Sequence, residues 1–182
     1  MNLQHIKSEL TTQITPQIEH DGQNKLASIL VVIYGNDPKV LMTEKPKDLK
    51  VHAGEISFPG GKPEESDSDL LDTALRETHE EIGLLVSRDD VVGQLEPVTT
   101  LNSRFKIIPF VAIIDDVPKL EANREVEKIF KIPFEPFLKT MADDPDPNHH
   151  SIQEMFIFSF EGNIVWGASA RVLNQIVKRL KI

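Results

Sequence analysis

Residues 76–81 read RETHEE, which sets Glu77, Glu80 and Glu81 on one helical turn beside Arg76. Carboxylates three and four residues apart share a helix face and repel by roughly a few tenths of a kcal/mol per neighbouring pair. Arg76, four residues before Glu80, answers part of that charge, and the remaining negative field asks for a cation. Hard divalent ions such as Mg²⁺ or Mn²⁺ take oxygen ligands of this kind. They are held by a few carboxylates together with substrate phosphates rather than by an all-protein cage. Phosphate chemistry is the reading that follows. Gly60 and Gly61, just upstream, agree with it, because glycine lets a backbone carbonyl or amide approach a metal or phosphate where a side chain would obstruct. Taken singly, an ordinary solvated helix face and a plain turn would also account for these features.

Something has to hold these residues in place. Ser66, Asp67, Ser68 and Asp69 offer N-caps and Gly83 a left-handed C-cap, which predicts one helix between them. Leu71, Ala74, Leu75, Thr78 and Ile82 form its packing stripe, leaving Arg76, Glu77, Glu80 and Glu81 on a face free for chemistry. The runs at 27–35 and 38–45 flank GNDP and predict a hairpin of mostly buried strands. Residues 91–101 and 105–115 read as further strands, and 155–160 with 163–167 as a late hairpin around Glu161 and Gly162. Residues 125–138 read as short helical pieces interrupted by Pro133 and Pro136, before a polar loop ADDPDPNHHS. A helix ASARVLNQIVKRL closes the chain. At the other end, Leu3, Ile6, Leu10 and Ile14 predict an amphipathic helix before Pro16, a helical appendage (1–24) to one domain spanning 25–182.

The composition bounds the partners. A chain of 182 residues, 40% hydrophobic and 27% charged, is enough for one domain with a proper core. With 29 acidic against 20 basic side chains the net charge is −9, which disfavours nucleic acid and anionic membrane as extended partners. A small anionic ligand then needs local lysines or a cation. Cysteine is absent, so disulfides, thiolate metal sites and a cysteine nucleophile are excluded, and any metal is held by oxygen or imidazole. There is no apolar run approaching about 18 residues, and MNLQHIKSELTTQI is too polar for a secretory core, so a soluble, cytoplasmic protein is expected.

Gly61, the acid at Asp67 and RETHEEIGL from Arg76 to Leu84 together resemble the signature of Nudix hydrolases. The usual pattern is glycine, five residues, glutamate, seven residues, then Arg-Glu-x-x-Glu-Glu-x-Gly. Here the span from Gly61 to Arg76 is one residue longer, and aspartate replaces the first glutamate. The segment LMTEKPKDLKVHAGEISFPGG is in turn similar to the upstream motif of a coenzyme A pyrophosphatase-like subgroup. Leu41, Thr43, His52, Gly54, Phe58, Pro59, Gly60 and Gly61 fall in its register, while Lys45 and Lys50 stand where that motif has arginine. Further similarity at SRFKIIPFVAIID, EVEKIFKIPF and IVWGASARVL extends the resemblance over most of residues 27–178.

The resemblance implies an α/β/α sandwich with a mixed, curved sheet, and a metal-dependent diphosphate hydrolase. Glu77, Glu80 and Glu81 would hold Mg²⁺ or Mn²⁺ with help from the Gly61 carbonyl, Arg76 would orient the glutamates, and Glu80 or Glu125 would accept the proton of the attacking water. Lys45, Lys50, His52, Gly60 and Arg104 form the implied substrate-binding set, with Lys47 and Lys106 as further phosphate-facing candidates. Coenzyme A or an acyl derivative is the expected substrate. ADP-ribose, dinucleotide polyphosphates or nucleoside triphosphates are the alternative, and a nucleotide-sensing module that binds without cutting is a second. A homodimer is left open. Surface charge for the lysines, a helix-terminal role for Glu125, and solvation for His149 and His150 are the plainer readings. Trp166 most simply packs between the last strand and the last helix, with stacking on an adenine as the rival.

Overall fold

The computed structural model describes residues 1–17, 22–48, 53–100, 104–145 and 155–182. In chain order these form α1 (Leu3–Leu10), β1 (Lys25–Tyr34), β2 (Lys39–Glu44), β3 (Ile56–Ser57), β4 (Gly60–Gly61), α2 (Leu70–Ile82), β5 (Val91–Gln94), β6 (Val98–Thr99), β7 (Phe105–Ile114), β8 (Lys128–Pro133), α3 (Phe134–Leu138), β9 (Ala142–Asp143), β10 (Phe156–Phe160), β11 (Asn163–Val165) and α4 (Gly167–Leu180). Lys50, His52, His149 and His150 lie outside the described residues.

β1 organises the molecule. Val31 and Ile33 point into a core shared with α1, α3, α4 and β10, while Leu30, Val32 and Tyr34 point into a second core beneath α2. That alternation, buried on both faces, makes β1 the centre of a sandwich with helices on each side. Along one edge it runs parallel to β7 in register from Lys25 opposite Phe105 to Tyr34 opposite Ile114. Along the other it is antiparallel to β2 at Ile33 and Tyr34 and to β4 at Ser28 and Ile29. The sheet order is β3-β2-β1-β7-β5, with β8 on β2 and β6 on β7, so the sheet is mixed. The architecture is the expected α/β/α sandwich. One edge of β1 is shared between two partners, and the glycine pair lies at that split.

Three element assignments differ from the sequence expectation. Of the expected strand 91–101, the described residues 91–100 hold two strands, broken at Leu95-Glu96-Pro97, because Pro97 has no N–H to give a ladder. The 125–138 segment holds a six-residue strand, β8, paired with β2 from Lys39 opposite Pro133 to Glu44 opposite Lys128. Phe130 and Ile132 are buried while Lys131 is exposed, a two-residue period that outweighs the prolines. Pro133 is tolerated as the last residue of the strand. α1 stops at Leu10, where Thr11 turns extended and its N–H and hydroxyl both bond to the Lys7 carbonyl. Ile6 and Leu10 are fully buried in the same core as α4, so the N-terminal helix covers one end of the sandwich.

α2 carries the acidic motif. Asp69 caps its first turn by accepting from Asp72 N–H at 2.9 Å, and Gly83 ends it at φ +70° with its N–H on the His79 carbonyl. Arg88 ties the N-terminus down by pairing with both Asp69 and Asp72. The chain passes α2's C-terminus a second time: Glu121 N–H donates to the Ile82 carbonyl at 3.1 Å and Asn123 N–H to that of Glu81 at 2.9 Å. Those bonds satisfy helix carbonyls and deliver Glu125 to the acidic face.

Candidate active site

The glycine pair is fitted to its surroundings on both sides. At Gly60, φ is +152°, and an added Cβ would lie 2.7 Å from Ile29 Cα and closer still to the Ser28 carbonyl. Glycine is therefore required by the strand pairing itself. At Gly61 an added Cβ would lie 2.5 Å from the Glu77 carboxyl carbon. Nothing but hydrogen fits between this backbone and that carboxylate, so the Gly61 backbone and the Glu77 carboxylate form one close-fitted cradle.

Charge is distributed across the acidic face by two cations. Arg76 donates from Nε to Asp67 Oδ1 at 2.9 Å and from Nη2 to Asp67 Oδ2 at 3.0 Å. Its Nη1 faces Glu80 at 3.1 Å and Glu77 at 3.2 Å, and Nη2 also bonds to the Lys62 carbonyl at 3.0 Å. Arg76 thus touches both Glu77 and Glu80, and Asp67 is the residue that grips Arg76. Asp67 also accepts from Thr73 Oγ1 and from Glu64 N–H. The Arg76 bond, aided by these, holds its carboxyl down at about 2.

Glu81 is not on a free surface. It is 2% exposed, and its carboxylate accepts from Lys45 Nζ at 2.8 Å and from Gly60 N–H at 3.2 Å. Burial pushes its carboxyl up, Lys45 opposes that, and the charge of Glu125 adds to it. Glu77 is raised for the same first reason, burial, with Arg76 acting against it. Lys45, expected to face a phosphate, is the counter-ion of Glu81 and also lines the cavity beside the glycine pair.

Among the described residues, no three acidic or imidazole side chains already converge as a closed metal cage. The donor set nonetheless fits a hard divalent ion. In these contacts Asp67, Glu77, Glu80 and Glu81 share two cationic side chains, Arg76 and Lys45, and the oxygens nearest the Gly61 backbone are those of the partly buried Glu77 carboxylate.

Beside the glycine pair opens a cavity of about 480 Å³, lined among others by Lys45, Gly60, Gly61, Lys62, Phe105 and Trp166. That volume suits a nucleotide-sized ligand. Trp166 caps α4 and is 43% exposed at the cavity wall, rather than packed between strand and helix. Arg104 sits at φ +53° with its carbonyl accepting from Lys25 N–H and its side chain exposed, and it is not among the cavity's lining residues. Lys47 pairs with Glu44 at 3.5 Å. Two lining cations escaped the sequence reading: Lys62, whose Nζ lies 5.4 Å from the Phe105 ring centroid, and Arg171 on α4. The position of Lys62 directly after the glycine pair was the available signal.

The fold and this helix face define a hydrolase of the diphosphate-cleaving class. Residues 24–152 match the family model described as the NUDIX domain. The chain therefore belongs to the Nudix family and is a Nudix diphosphatase. It is 30% identical over 159 residues to an uncharacterised Nudix hydrolase, NudL, of Yersinia enterocolitica, covering 86% of this chain and 81% of that one. Its fold is similar to that of a MutT/nudix family protein from Enterococcus faecalis, with TM-score 0.62 and 16% identity. That match covers 93% of this chain and 65% of the other, longer one. The NUDIX domain of Shewanella oneidensis NrtR, complexed with ADP ribose, is similar with TM-score 0.58 and 16% identity, covering 86% of this chain and 88% of that one. No helix among the described residues is long and apolar enough to cross a membrane.

Proposed function

We propose that this chain cuts a nucleoside diphosphate linked to another moiety, with coenzyme A or an acyl derivative as substrate and 3′,5′-ADP and 4′-phosphopantetheine as products. The observation that carries the hydrolytic reading is the Gly61–Glu77 cradle, set on a helix face with Glu80 and Glu81 and opening onto a cavity of nucleotide size. A bound Mg²⁺ or Mn²⁺ supplies charge neutralisation at the bridging diphosphate and the leaving phosphate. Glu77, Glu80 and Glu81 hold the ion, with the Gly61 backbone beside them. Arg76 fixes the rotamers of Glu77 and Glu80 from its clamp on Asp67. Glu80, whose side chain is half exposed, or Glu125, exposed and close enough to raise the Glu81 carboxyl, accepts the proton of the attacking water. Such assistance contributes on the order of 10²–10⁴ in rate.

The coenzyme A motif supports the substrate. Leu41, Thr43, Phe58, Pro59, Gly60 and Gly61 lie on or beside paired strands that meet at the cradle, with Thr43 opposite Ser57 and Gly60 opposite Ile29. Lys50 and His52 remain in the proposed substrate-binding set on sequence register alone. ADP-ribose is the second reading, favoured because Lys45 is committed to Glu81 and because a similar domain holds ADP ribose. The protein would work in the cytoplasm on this small molecule. Mass spectrometry of products from coenzyme A, ADP-ribose and dinucleotide polyphosphates, assayed in parallel with Mg²⁺ and with Mn²⁺, tests the proposal. Cleavage of ADP-ribose alone would replace the substrate, and no cleavage of any of the three would remove the coenzyme A proposal.

A further inference from the structure

We propose that Ser28 is a positioning residue for the divalent ion: its buried hydroxyl donates to the Glu77 carboxylate when Glu77 ligates the ion. The proposal rests on the reading of Glu77 as a ligand and names a residue of the sheet that serves it from below.

Ser28 is 0% exposed, and its Oγ has no hydrogen-bond partner among the described residues. Folded chains rarely bury a hydroxyl in this way, since it loses its bonds to water without replacement. The residues of β1 that share its face, Leu26, Leu30, Val32 and Tyr34, all pack in the core beneath α2. Beside Ser28 on β7 stands Ile108, also in that core, and beside it on β4 stands Gly61. The nearest side chains of the sheet are thus leucine, isoleucine and a glycine hydrogen, none of them an acceptor. A side-chain acceptor has to come from α2, which lies across β1 and β4.

Gly61 identifies the α2 residue. Residues directly opposite in an antiparallel pair project to the same face, with Cβ atoms about 4.5–5.5 Å apart. At Gly61 that place is taken by Glu77: an added Cβ would lie 2.5 Å from its carboxyl carbon and 2.8 Å from Oε2. The carboxylate therefore stands where the cross-strand neighbour of Ser28 would otherwise be. Its Oε1 faces Arg76 Nη1 at 3.2 Å, and Oε2 accepts from no described residue. Thr73 and Thr78, the buried hydroxyls of α2 itself, already bond to the Asp67 carboxylate and the Ala74 carbonyl. Ser28 is the donor without such a bond beneath Glu77.

A ligand carboxylate that also accepts a hydrogen bond is held in one orientation, and losing such a bond weakens metal binding by about 10–100-fold. In the metal-free chain the unpaired hydroxyl adds nothing to stability, so its removal there is harmless or favourable. One side chain thus supports the metal-loaded protein and not the metal-free one. A residue that only packs would support both alike.

Calorimetric titration of the full chain with Mn²⁺ alone, together with thermal melts in chelator and in excess Mn²⁺, tests this split. Ser28→Ala is expected to raise the Mn²⁺ Kd about ten-fold. It should melt no lower than the unmodified chain in chelator and gain less from Mn²⁺. Ser28→Thr, which keeps the hydroxyl at a strand position, should bind Mn²⁺ more tightly than Ser28→Ala. An unchanged Kd in Ser28→Ala would overturn the proposal. So would a melting deficit equal in chelator and in Mn²⁺, which would give the hydroxyl a buried water as its partner in both states. Ser28→Thr binding as weakly as Ser28→Ala, while melting like the unmodified chain in chelator, would overturn it too. No Mn²⁺ binding by the unmodified chain would instead refute the reading of Glu77 as a ligand, and the proposal with it.

Discussion

Asp67 grips Arg76 through both carboxylate oxygens, at 2.9 and 3.0 Å, and the Asp67 side chain is only 4% exposed. Arg76 in turn touches Glu77, Glu80 and the Lys62 carbonyl. The shorter acid and the one-residue-longer spacing from Gly61 thus still deliver an orienting carboxylate. Removing one charge from a paired, hydrogen-bonded ion typically costs about 1.5–3 kcal/mol. Asp67→Asn is expected to lower stability in urea by that amount and also to lower kcat, because Glu77 and Glu80 lose the fixed guanidinium that positions them. A kcat equal to that of the unmodified chain would show that Arg76 keeps its place without Asp67.

The same bond predicts an acid limb. The Asp67 carboxyl is depressed from its ordinary 3.8 to about 2, chiefly by the Arg76 hydrogen bond. A folded-state value below the unfolded one means the carboxylate's contribution is complete above about pH 4 and is lost as the pH falls through about 2. The stability difference between the unmodified chain and Asp67→Asn should therefore be constant from neutral pH down to about pH 4 and shrink between about pH 4 and 2. Chemical denaturation across that range checks it, and a difference that persists undiminished at the acid end would locate the stabilisation elsewhere.

Local signals made α2 legible. Asp69 and Gly83 bound it by capping chemistry that needs no tertiary partner, and the stripe from Leu71 to Ile82 packs as its spacing requires. The β8 strand was obscured because its pattern is short, one proline ends it and another follows three residues on, and its ladder partner β2 lies far away in the chain. Lys45 and Glu81 are 36 residues apart, so no spacing rule could pair them, and a glutamate at a polar helical position gives no sign that a neighbouring loop and Lys45 will bury it. Arg171 is likewise indistinguishable from a solvated arginine until β6 is placed against α4.

The Lys45–Glu81 pair makes a prediction about cations. Glu81→Gln should lower turnover by at least about 100-fold through loss of a ligand charge. Lys45→Met leaves the Glu81 carboxylate buried without its ammonium, which costs about 3 kcal/mol, the low end for a broken buried pair. That end of the range applies because the Lys45 side chain keeps 25% exposure. Saturating Mg²⁺ should restore much of this loss, since an ion at the carboxylates replaces the missing charge and binds only the folded chain. Thermal unfolding with Mg²⁺ and with a chelator separates the cases: an equal deficit in both would mean that Glu81 is not a metal ligand.

Gly60 and Gly61 are adjacent but should fail differently when a methyl group is added. At Gly60 the new Cβ meets backbone, the Ser28 carbonyl and Ile29 Cα, at a φ of +152° that an alanine rarely adopts. Strand atoms paired to both neighbours cannot yield, so Gly60→Ala is expected to destabilise by about 3 kcal/mol or more, from overpacking and strain together. At Gly61 the Cβ meets only the carboxylate end of Glu77 and the backbone φ is not positive, so the side chain can swing away and the fold survives. The displaced carboxylate is the one that forms the cradle. Gly61→Ala should then unfold within about 1 kcal/mol of the unmodified chain while losing on the order of 10²-fold in kcat. It should also require more Mg²⁺ for half-maximal activity. Thermal melts and metal-dependent kinetics on the two variants check the contrast. A Gly61→Ala protein as active as the original would detach Glu77 from the reaction and leave the glycine pair as a feature of the sheet alone.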